Sequence, residues 1–334
     1  MTIKLGIDMG STTTTIFRQN SGLVLREPSK VLCEMDNGKR IVREVGQKAI
    51  KLLGKTPEHV SVVSPIVDGV VDDVHLASRM LVNFVDKVIS DNPGASTYAL
   101  INIPCGASIE ECKKTTLVAC RAHITAFNLI PNVIACAVGA GVDLTSDQCV
   151  LVVDIGGGCT DIAVVGYASI IHGVTLNIGS GQMDIAIQRY IEEKFGINIS
   201  PATAEMLKEE IGSLLSRDIA TMQVNGVDVA TKELRSVVVN AGLICDAIQE
   251  YYEIIADTIS EVLSQCNPET MSNVLNFGVV LCGKATKITG LENFMVNRLG
   301  VKVNIVEGDC TANGLGMLLD NRGLVKRIVT NNRK

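Results

Sequence analysis

The chain has 334 residues, of which 47% are hydrophobic and 20% are charged, and its formal net charge is −6. This length is sufficient for two domains, and the apolar content predicts a large core and excludes a mainly disordered chain. Because there is no strong basic excess, nucleic acid is not expected as a main partner. The basic C-terminal residues Lys326, Arg327, Arg333 and Lys334 are expected to form a solvated end.

Cysteine usage and hydropathy both favour a soluble protein of a reducing compartment. The 11 Cys are spread along the chain without a Cys-x-x-Cys pair, so we expect buried thiols rather than disulfides or a zinc site. No signal peptide is expected, because the first residues enter a strand directly. No run reaches the roughly 18 uninterrupted apolar residues of a membrane span.

Two strand–turn–strand motifs organise the chain, one near its start and one near its middle. The first strand ends at Asp8 and leads into Met9-Gly10-Ser11-Thr12-Thr13, and a later strand ends at Asp154 and leads into Ile155-Gly156-Gly157-Gly158. Such a turn directs several N–H groups at one point, which suits a phosphate, and the terminal Asp is placed to hold a hydrated Mg²⁺. Either motif alone is equally compatible with an ordinary hairpin. Their repetition favours two similar domains that clamp a polyphosphate.

The first half is otherwise predicted to alternate between strands and helices. We expect a helix at 74–90, a strand at 98–104, a helix that begins with a capping box of Ser108 and Glu111, and a strand at 125–130. Asn132 is predicted to cap a helix of small residues at 133–141. That helix is either a connector on which two halves pivot or a tightly packed core helix.

The second half is predicted to alternate in the same way. We expect helices from about 178 to 195, at 201–215, 236–266 and 291–299, a hairpin around Asn225-Gly226, and strands at 279–283 and 301–306. A small-residue helix at 310–319 mirrors 133–141. The predicted domains are 1–147, with an insertion at about 32–72, and 148–334, with an insertion at about 182–240. The C-terminal helix at about 310–320 is expected to pack back on the first half.

These residues resemble those of the actin-like ATPases, and specifically of the MreB/Mbl family of bacterial actins, over nearly the whole chain. Beyond the two hairpins, the resemblance rests on Pro65-Ile66-Val67-Asp68-Gly69-Val70, Gly139-Ala140-Gly141, Thr203-Ala204-Glu205-Met206-Leu207-Lys208 and Gly290-Leu291. It implies an α/β fold of the actin type. Such a fold has two similar domains, each with a small inserted subdomain, and a nucleotide cleft between them.

The resemblance also implies a set of site residues for ATP and Mg²⁺. Asp8 and Asp154 would sit by the Mg²⁺, through water, and Asp154 would be catalytic together with a water-orienting Asn132. The nucleotide-binding residues would be those of the two phosphate loops, a ribose and base pair, and an adenosine-side loop: Gly10, Ser11, Thr12, Thr13, Gly156, Gly157, Gly158, Glu205, Lys208, Gly283, Lys284, Ala285 and Thr286.

Three departures from the family pattern qualify this implication. The family typically has Glu-Glu-Pro where this chain has Pro131-Asn132-Val133, and Asn cannot act as a base. Its adenosine-side loop is usually Gly-Gly-Gly-Ala, where this chain has Gly283-Lys284-Ala285-Thr286. There is no amphipathic N-terminal helix, and the loop at 91–97 lacks an apolar tip, so membrane contact is expected only through a partner.

The resemblance therefore implies a cytoskeletal protein that binds Mg²⁺-ATP and polymerises, with slow or impaired hydrolysis. Its partners would be itself and related bacterial actins, and it would be cytoplasmic, with recruitment to the inner face of the cell membrane. Two alternatives stay open: a monomeric ATP-dependent switch or reactivating chaperone of the same fold, and a nucleotide-insensitive scaffold. A dehydratase-activator relative with an iron–sulfur cluster at Cys105 and Cys112 also stays open.

Overall fold

A computed structural model describes residues 2–36, 38–215 and 217–332 of the chain. Buried apolar runs form the central strands, and amphipathic segments form the helices that cover them. In chain order the first half contains β1 (Thr2–Met9), β2 (Thr13–Arg18), β3 (Gly22–Pro28), β4 (Val31–Asp36), β5 (Lys39–Val45), α1 (Gln47–Ile50), β6 (Val60–Val63), β7 (Ile66–Val67), β8 (Val70–Val71), α2 (Val74–Val88), β9 (Ser96–Ile103), α3 (Ile109–Arg121), β10 (Ala126–Pro131) and α4 (Asn132–Gly139).

The second half repeats this mixture of strands and helices. In chain order it contains β11 (Cys149–Ile155), β12 (Thr160–Gly166), β13 (Ser169–Leu176), α5 (Ser180–Phe195), β14 (Ile197–Asn198), α6 (Pro201–Ile211), β15 (Thr221–Asp228), β16 (Leu234–Asn240), α7 (Ala241–Ser264), α8 (Pro268–Phe277), β17 (Val279–Cys282), a 3₁₀ turn (Lys284–Lys287), α9 (Leu291–Leu299), β18 (Val303–Ile305), α10 (Cys310–Leu318) and α11 (Arg322–Asn331).

Each half is built on a five-stranded sheet, and the two sheets share one topology. The first has the strand order β10-β9-β1-β2-β3 and the second has the order β18-β17-β11-β12-β13. In both, three antiparallel strands continue into two parallel ones. A smaller sheet of β4, β5 and β6 lies within the predicted insertion of the first half, and one of β14, β15 and β16 lies within that of the second.

The junction between the sheets is made by α4 and α10, which cross with their backbones close together. A side-chain carbon at Gly314 would overlap the Ala135 carbonyl, and one at Gly139 would overlap the Cys310 carbonyl. Helix α10 also packs on the first half, where Leu315 lies against Gly6 of β1. Buried side chains from both helices and both sheets form one continuous hydrophobic cluster here.

The long helices follow their sequence signals. Helix α2 buries Leu76, Met80 and Phe84, which lie four residues apart on one face. The capping box of α3 is confirmed, because the Glu111 N–H donates to the Ser108 hydroxyl while the Glu111 carboxylate accepts from the Ser108 N–H. Among the described residues, we find no helix whose length and apolar character would let it cross a bilayer.

The hairpin predicted around Asn225-Gly226 is wrong. Both residues lie inside the continuous strand β15, and the chain turns after it, where the Asp228 carboxylate accepts from the Ala230 N–H at 2.9 Å. Glycine is needed at 226 because a side-chain carbon there would approach the Asn198 carbonyl of the paired strand to 2.9 Å. The Asn-Gly pair thus serves strand packing, not a turn.

The helix predicted from residue 236 is also wrong at its start. Residues 236–240 belong to strand β16, whose β-branched run of Val237, Val238 and Val239 favours an extended chain. The helix begins only after Asn240, whose side chain accepts from the Leu243 N–H at 3.0 Å.

Two helices were not predicted. Helix α8 follows Asn267, which caps it, and Pro268 at its first position, and this pair is a typical start signal. Helix α11 follows the capping residue Asn321 and carries Lys326 and Arg327 on its exposed face. The remaining two residues of the expected solvated end, Arg333 and Lys334, lie outside the described residues.

Candidate functional site

The first loop of the site joins β1 to β2 in a tight turn. Its Gly10 N–H donates to the Thr13 carbonyl at 3.1 Å. A side-chain carbon at Gly10 would lie 2.8 Å from that carbonyl oxygen, so only glycine fits. The Ser11 hydroxyl accepts from the Gly69 N–H at 2.8 Å, which ties the loop to the β7–β8 turn. The loop therefore presents hydroxyl groups on a fixed backbone beside Asp8, which lies near the end of β1.

The second loop joins β11 to β12 and is held by the start of α5. The Ser180 N–H donates to the Gly156 carbonyl at 2.9 Å, and the Gly181 N–H donates to the Gly157 carbonyl at 2.8 Å. These first amides of the helix are thus used to fix the loop. In this arrangement both amides are already paired with carbonyls of the glycine loop.

The two loops meet face to face across the cleft between the halves. A side-chain carbon at Gly157 would lie 2.8 Å from Thr12 Cβ and would overlap its hydroxyl, and one at Gly158 would lie 2.6 Å from the Ser11 hydroxyl. The cavity between them measures about 110 Å³. Pockets for small molecules usually exceed about 300 Å³. The loops therefore leave less room between them than a small-molecule ligand usually occupies.

Two carboxylates lie behind the loops, one from each half. Burial, followed by the charge of Asp154, raises the pKa of Asp8 to about 8. Burial, followed by the charge of Asp161, raises the pKa of Asp154 to about 7. Buried acids of this kind disfavour their charged forms unless a cation is near. The pair thus fits a hydrated divalent cation, which would stabilise both charges.

A chain of polar side chains links the two halves along the floor of the cleft. The Asn102 amide donates to Asp8 at 2.6 Å and to the Asn132 oxygen at 2.8 Å. The Asn132 amide then donates to Asp161 at 2.8 Å, and Asp161 also accepts from the Cys105 N–H at 3.0 Å. Because buried amides and carboxylates are costly to leave unpaired, this chain fixes all four side chains.

The structure corrects the predicted cap of α4. Asn132 is the first residue of the helix and not its capping residue, a position that Pro131 holds without a side-chain hydrogen bond. The Asn132 side chain instead lies between Asn102 and Asp161 and lines the cavity. Its role in orienting water stays a prediction.

Part of the expected adenosine-side loop reaches the cavity and part does not. Gly283 and Lys284 line it, and the Lys284 ammonium donates to the Thr13 hydroxyl at 2.7 Å across the cleft. Ala285 and Thr286 are buried beneath it, and the Ala285 carbonyl accepts from the Tyr252 hydroxyl at 2.7 Å. The Lys284 side chain thus bridges the two halves at this end of the cleft.

The expected ribose and base pair on α6 does not line this cavity. Lys208 is buried, and its ammonium donates to the Ser180 carbonyl at 2.9 Å and pairs with Asp184. Glu205 is half-buried. Burial lowers the pKa of Lys284, and the charge of Glu205 partly offsets this lowering. The nucleotide roles of Glu205 and Lys208 stay predictions.

The sequence interpretation assigned no role to several residues that the structure brings to the site. Asn102 and Asp161 were visible as polar residues in apolar strands, which is a weak signal. The Thr311 hydroxyl contacts Asp154 at 3.4 Å and Cys136 at 3.0 Å. Cys136, Cys282 and Cys310 come from three separate elements, so no sequence spacing could reveal that they meet.

Comparisons with known proteins agree with this geometry. The family model described as MreB/Mbl protein matches residues 2–327. The chain is 32% identical over 322 residues to the cell shape-determining protein MreB of Escherichia coli strain K12, covering 95% of this chain and 93% of that one. It is 29% identical to the cell shape-determining protein Mbl of Bacillus subtilis strain 168, covering 95% and 96%.

Solved structures show the same architecture. MreB 5 of Spiroplasma citri bound to AMPPNP superposes with a TM-score of 0.88 at 23% identity, over 98% of both chains. The MamK double helical filament superposes with a TM-score of 0.79 at 20% identity, over 96% of this chain and 99% of that one. The fold is therefore that of the actins, as the resemblance implied. With a family model that spans nearly its whole length, this chain belongs to the MreB/Mbl family of bacterial actins.

Proposed function

We propose that this protein binds Mg²⁺-ATP between its two halves and assembles into cytoskeletal filaments that organise cell shape or cell-wall synthesis. The single observation that carries the proposal is the pair of facing loops, each from an equivalent hairpin and each backed by a carboxylate. The names of the relatives, the AMPPNP-bound and ADP-bound Spiroplasma citri structures and the MamK filament support the same function.

In this proposal the loop residues bind the phosphates. Ser11, Thr12 and Thr13 contribute hydroxyl and N–H donors from one side, where Gly10 closes the turn. Gly157 and Gly158 contribute backbone donors from the other side, where the Gly156 N–H is bonded to the Cys159 carbonyl. Asp8 and Asp154 hold Mg²⁺ through water, and the ion neutralises charge on the phosphates. Glu205, Lys208 and the loop at Gly283, Lys284, Ala285 and Thr286 face the adenosine once the halves have opened.

We expect ATP hydrolysis to be slow. Asn132 stands at the position where the family typically has its catalytic Glu, and an amide cannot take a proton from the attacking water. Its two amide atoms are already engaged by Asn102 and Asp161. Because much of phosphoryl transfer is positioning, a low residual rate is expected rather than none.

Co-sedimentation tests the proposal against its alternatives. The protein is centrifuged with Mg²⁺-ATP, with Mg²⁺-ADP and without nucleotide, and phosphate release is followed in the same tubes. We expect pelleting that depends on ATP, with little phosphate released. Binding of ATP without pelleting would favour the monomeric switch, and pelleting that ignores nucleotide would favour the scaffold. We further propose a cytoplasmic location, with membrane contact through a partner.

A further inference from the structure

Three cysteines from three elements meet where α4, α10 and β17 come together. Cys136 lies in α4, Cys282 ends β17 and Cys310 begins α10. Their sulfur atoms all lie within 4.8 Å of one another. Cys136 and Cys282 are 0% exposed and Cys310 is 5% exposed. This is a compact group of three soft ligand atoms, not an isolated thiol.

The backbone around the three cysteines is held independently of the sulfur atoms. The close crossing of α4 and α10 at Gly139 and Gly314 sets the distance between the two helices. The thiols also make hydrogen bonds: Cys310 donates to the Cys136 carbonyl at 3.3 Å, Cys282 donates to the Val153 carbonyl at 3.5 Å, and Cys136 lies 3.0 Å from the Thr311 hydroxyl. Thiols are weak donors, so these bonds give little reason for cysteine at these positions.

We propose that Cys136, Cys282 and Cys310 form a binding site for Zn²⁺. In a tetrahedral site with Zn–S bonds of about 2.3 Å, neighbouring sulfur atoms lie about 3.8 Å apart. The observed spacing of at most 4.8 Å needs only small side-chain adjustments to reach this value. Thiolate ligands select Zn²⁺ over Mg²⁺ and Ca²⁺, which prefer oxygen. Each thiol that binds the ion releases its proton to solvent.

The fourth ligand position and the path by which an ion would enter both lie on the side of the cleft. Cys310 lines the cavity between the two halves, so an ion can reach the site from there. The Thr311 hydroxyl contacts Cys136 at 3.0 Å and Asp154 at 3.4 Å, so the sulfur atoms lie beside the polar side of the cavity, from which a water molecule can take the fourth position. Three cysteines and one water complete a four-coordinate site.

A bound ion would join β17 of the second sheet to both helices of the junction, α4 and α10. The site needs no nucleotide, so it does not rest on the proposed function. Metal coordination is measured in the absence of ATP, so a negative result would leave the sedimentation result unaffected.

The first test is a titration of the full chain with Co²⁺, after reduction and removal of metals. We expect one equivalent to give thiolate-to-metal charge-transfer absorption and the visible bands of a tetrahedral site, and Zn²⁺ to abolish both. In Cys136→Ser, Cys282→Ser and Cys310→Ser, the affinity for Zn²⁺ is expected to fall at least about tenfold. Cys33→Ser removes an equally buried thiol from β4 and should match the wild type.

X-ray absorption of the Zn²⁺-loaded wild-type protein gives a reading that does not depend on the folding of variants. Three sulfur neighbours at about 2.3 Å are expected. Two or fewer sulfur neighbours would overturn the site. The absence of charge-transfer absorption in the wild type, or an unchanged signal and affinity in Cys136→Ser, would overturn it as well.

Discussion

The two halves of the molecule share one sheet topology but contribute different chemistry to the cleft. In the first half Asp8 is paired across the hairpin with Thr15, and in the second half Asp154 is paired with Asp161. The first loop carries hydroxyl side chains, whereas the second consists of three glycines that leave room for them. The duplicated fold thus supplies a frame, and the differences at equivalent positions make the two surfaces complementary.

The sharpest test of this asymmetry replaces the two equivalent residues with the same side chain. Asp161→Val leaves the Cys105 N–H and the Asn132 amide without their acceptor, and we expect the free energy of unfolding to fall by about 3 kcal/mol. Thr15→Val is the matched control and should change it by less than about 1 kcal/mol. Urea unfolding of both variants measures the difference. Equal losses in Asp161→Val and Thr15→Val would show that the two equivalent positions do not differ in this way.

Asn132→Asp tests the hydrogen bond that the uncharged Asn132 amide donates to Asp161. The new carboxylate would face Asp161 in place of an amide donor, so we expect a loss of about 2 kcal/mol in the free energy of unfolding at pH 8. Mutual repulsion raises the pKa of the pair. The loss should therefore shrink as pH falls and one carboxyl group takes up a proton.

Urea unfolding of Asn132→Asp at pH 5 and pH 8 checks this sign. Asn92→Asp adds the same charge at an exposed position and should show no such pH dependence. A loss at Asn132→Asp that stays constant over this range would show that the two side chains do not interact as the structure indicates.

Gly157→Ala tests the fit between the loops. The added carbon would point at the Thr12 hydroxyl, into the gap between the loops where the phosphates would lie, so we expect the affinity for Mg²⁺-ATP to fall about tenfold, or about 1.4 kcal/mol. Gly94→Ala, where nothing lies within 4 Å, serves as the control. Isothermal titration calorimetry measures both. Unchanged affinity in Gly157→Ala would mean that the loops do not flank the ligand.

Asp8 provides the smallest expected effect. Its pKa in the folded protein is about 8, above the ordinary value of 3.8, so its contribution to stability is greatest at low pH and is lost as pH rises through 8. In the absence of nucleotide and Mg²⁺, the free energy of unfolding of the wild type, relative to Asp8→Asn, should fall by about 1 kcal/mol between pH 7 and pH 8. Parallel pH profiles of the two proteins would contradict this assignment.

The sequence was sufficient to predict the fold but only part of the site. The repeated hairpins and the strand–helix alternation predict two similar α/β domains, the resemblance to the MreB/Mbl family implies the actin-like fold, and the glycine turns predict the two loops. The prediction of a turn at Asn225-Gly226 failed because the role of Gly226 depends on the close approach of Asn198, which lies on a neighbouring strand. Contacts between distant elements, such as Asn132 with Asp161 or the three cysteines at the junction of α4, α10 and β17, produce no periodicity or spacing in the sequence. They could therefore not be predicted from it.

The most direct test of the central claim is the Mg²⁺ dependence of ATP affinity in the wild type and in Asp154→Ala, with the exposed Asp86→Ala as control. If the two halves hold Mg²⁺-ATP between their loops, removal of Mg²⁺ weakens ATP binding to the wild type and to Asp86→Ala by at least about tenfold. Asp154→Ala should bind weakly with or without Mg²⁺. Wild-type affinity and Mg²⁺ dependence in Asp154→Ala would contradict the account and remove this carboxylate from the site.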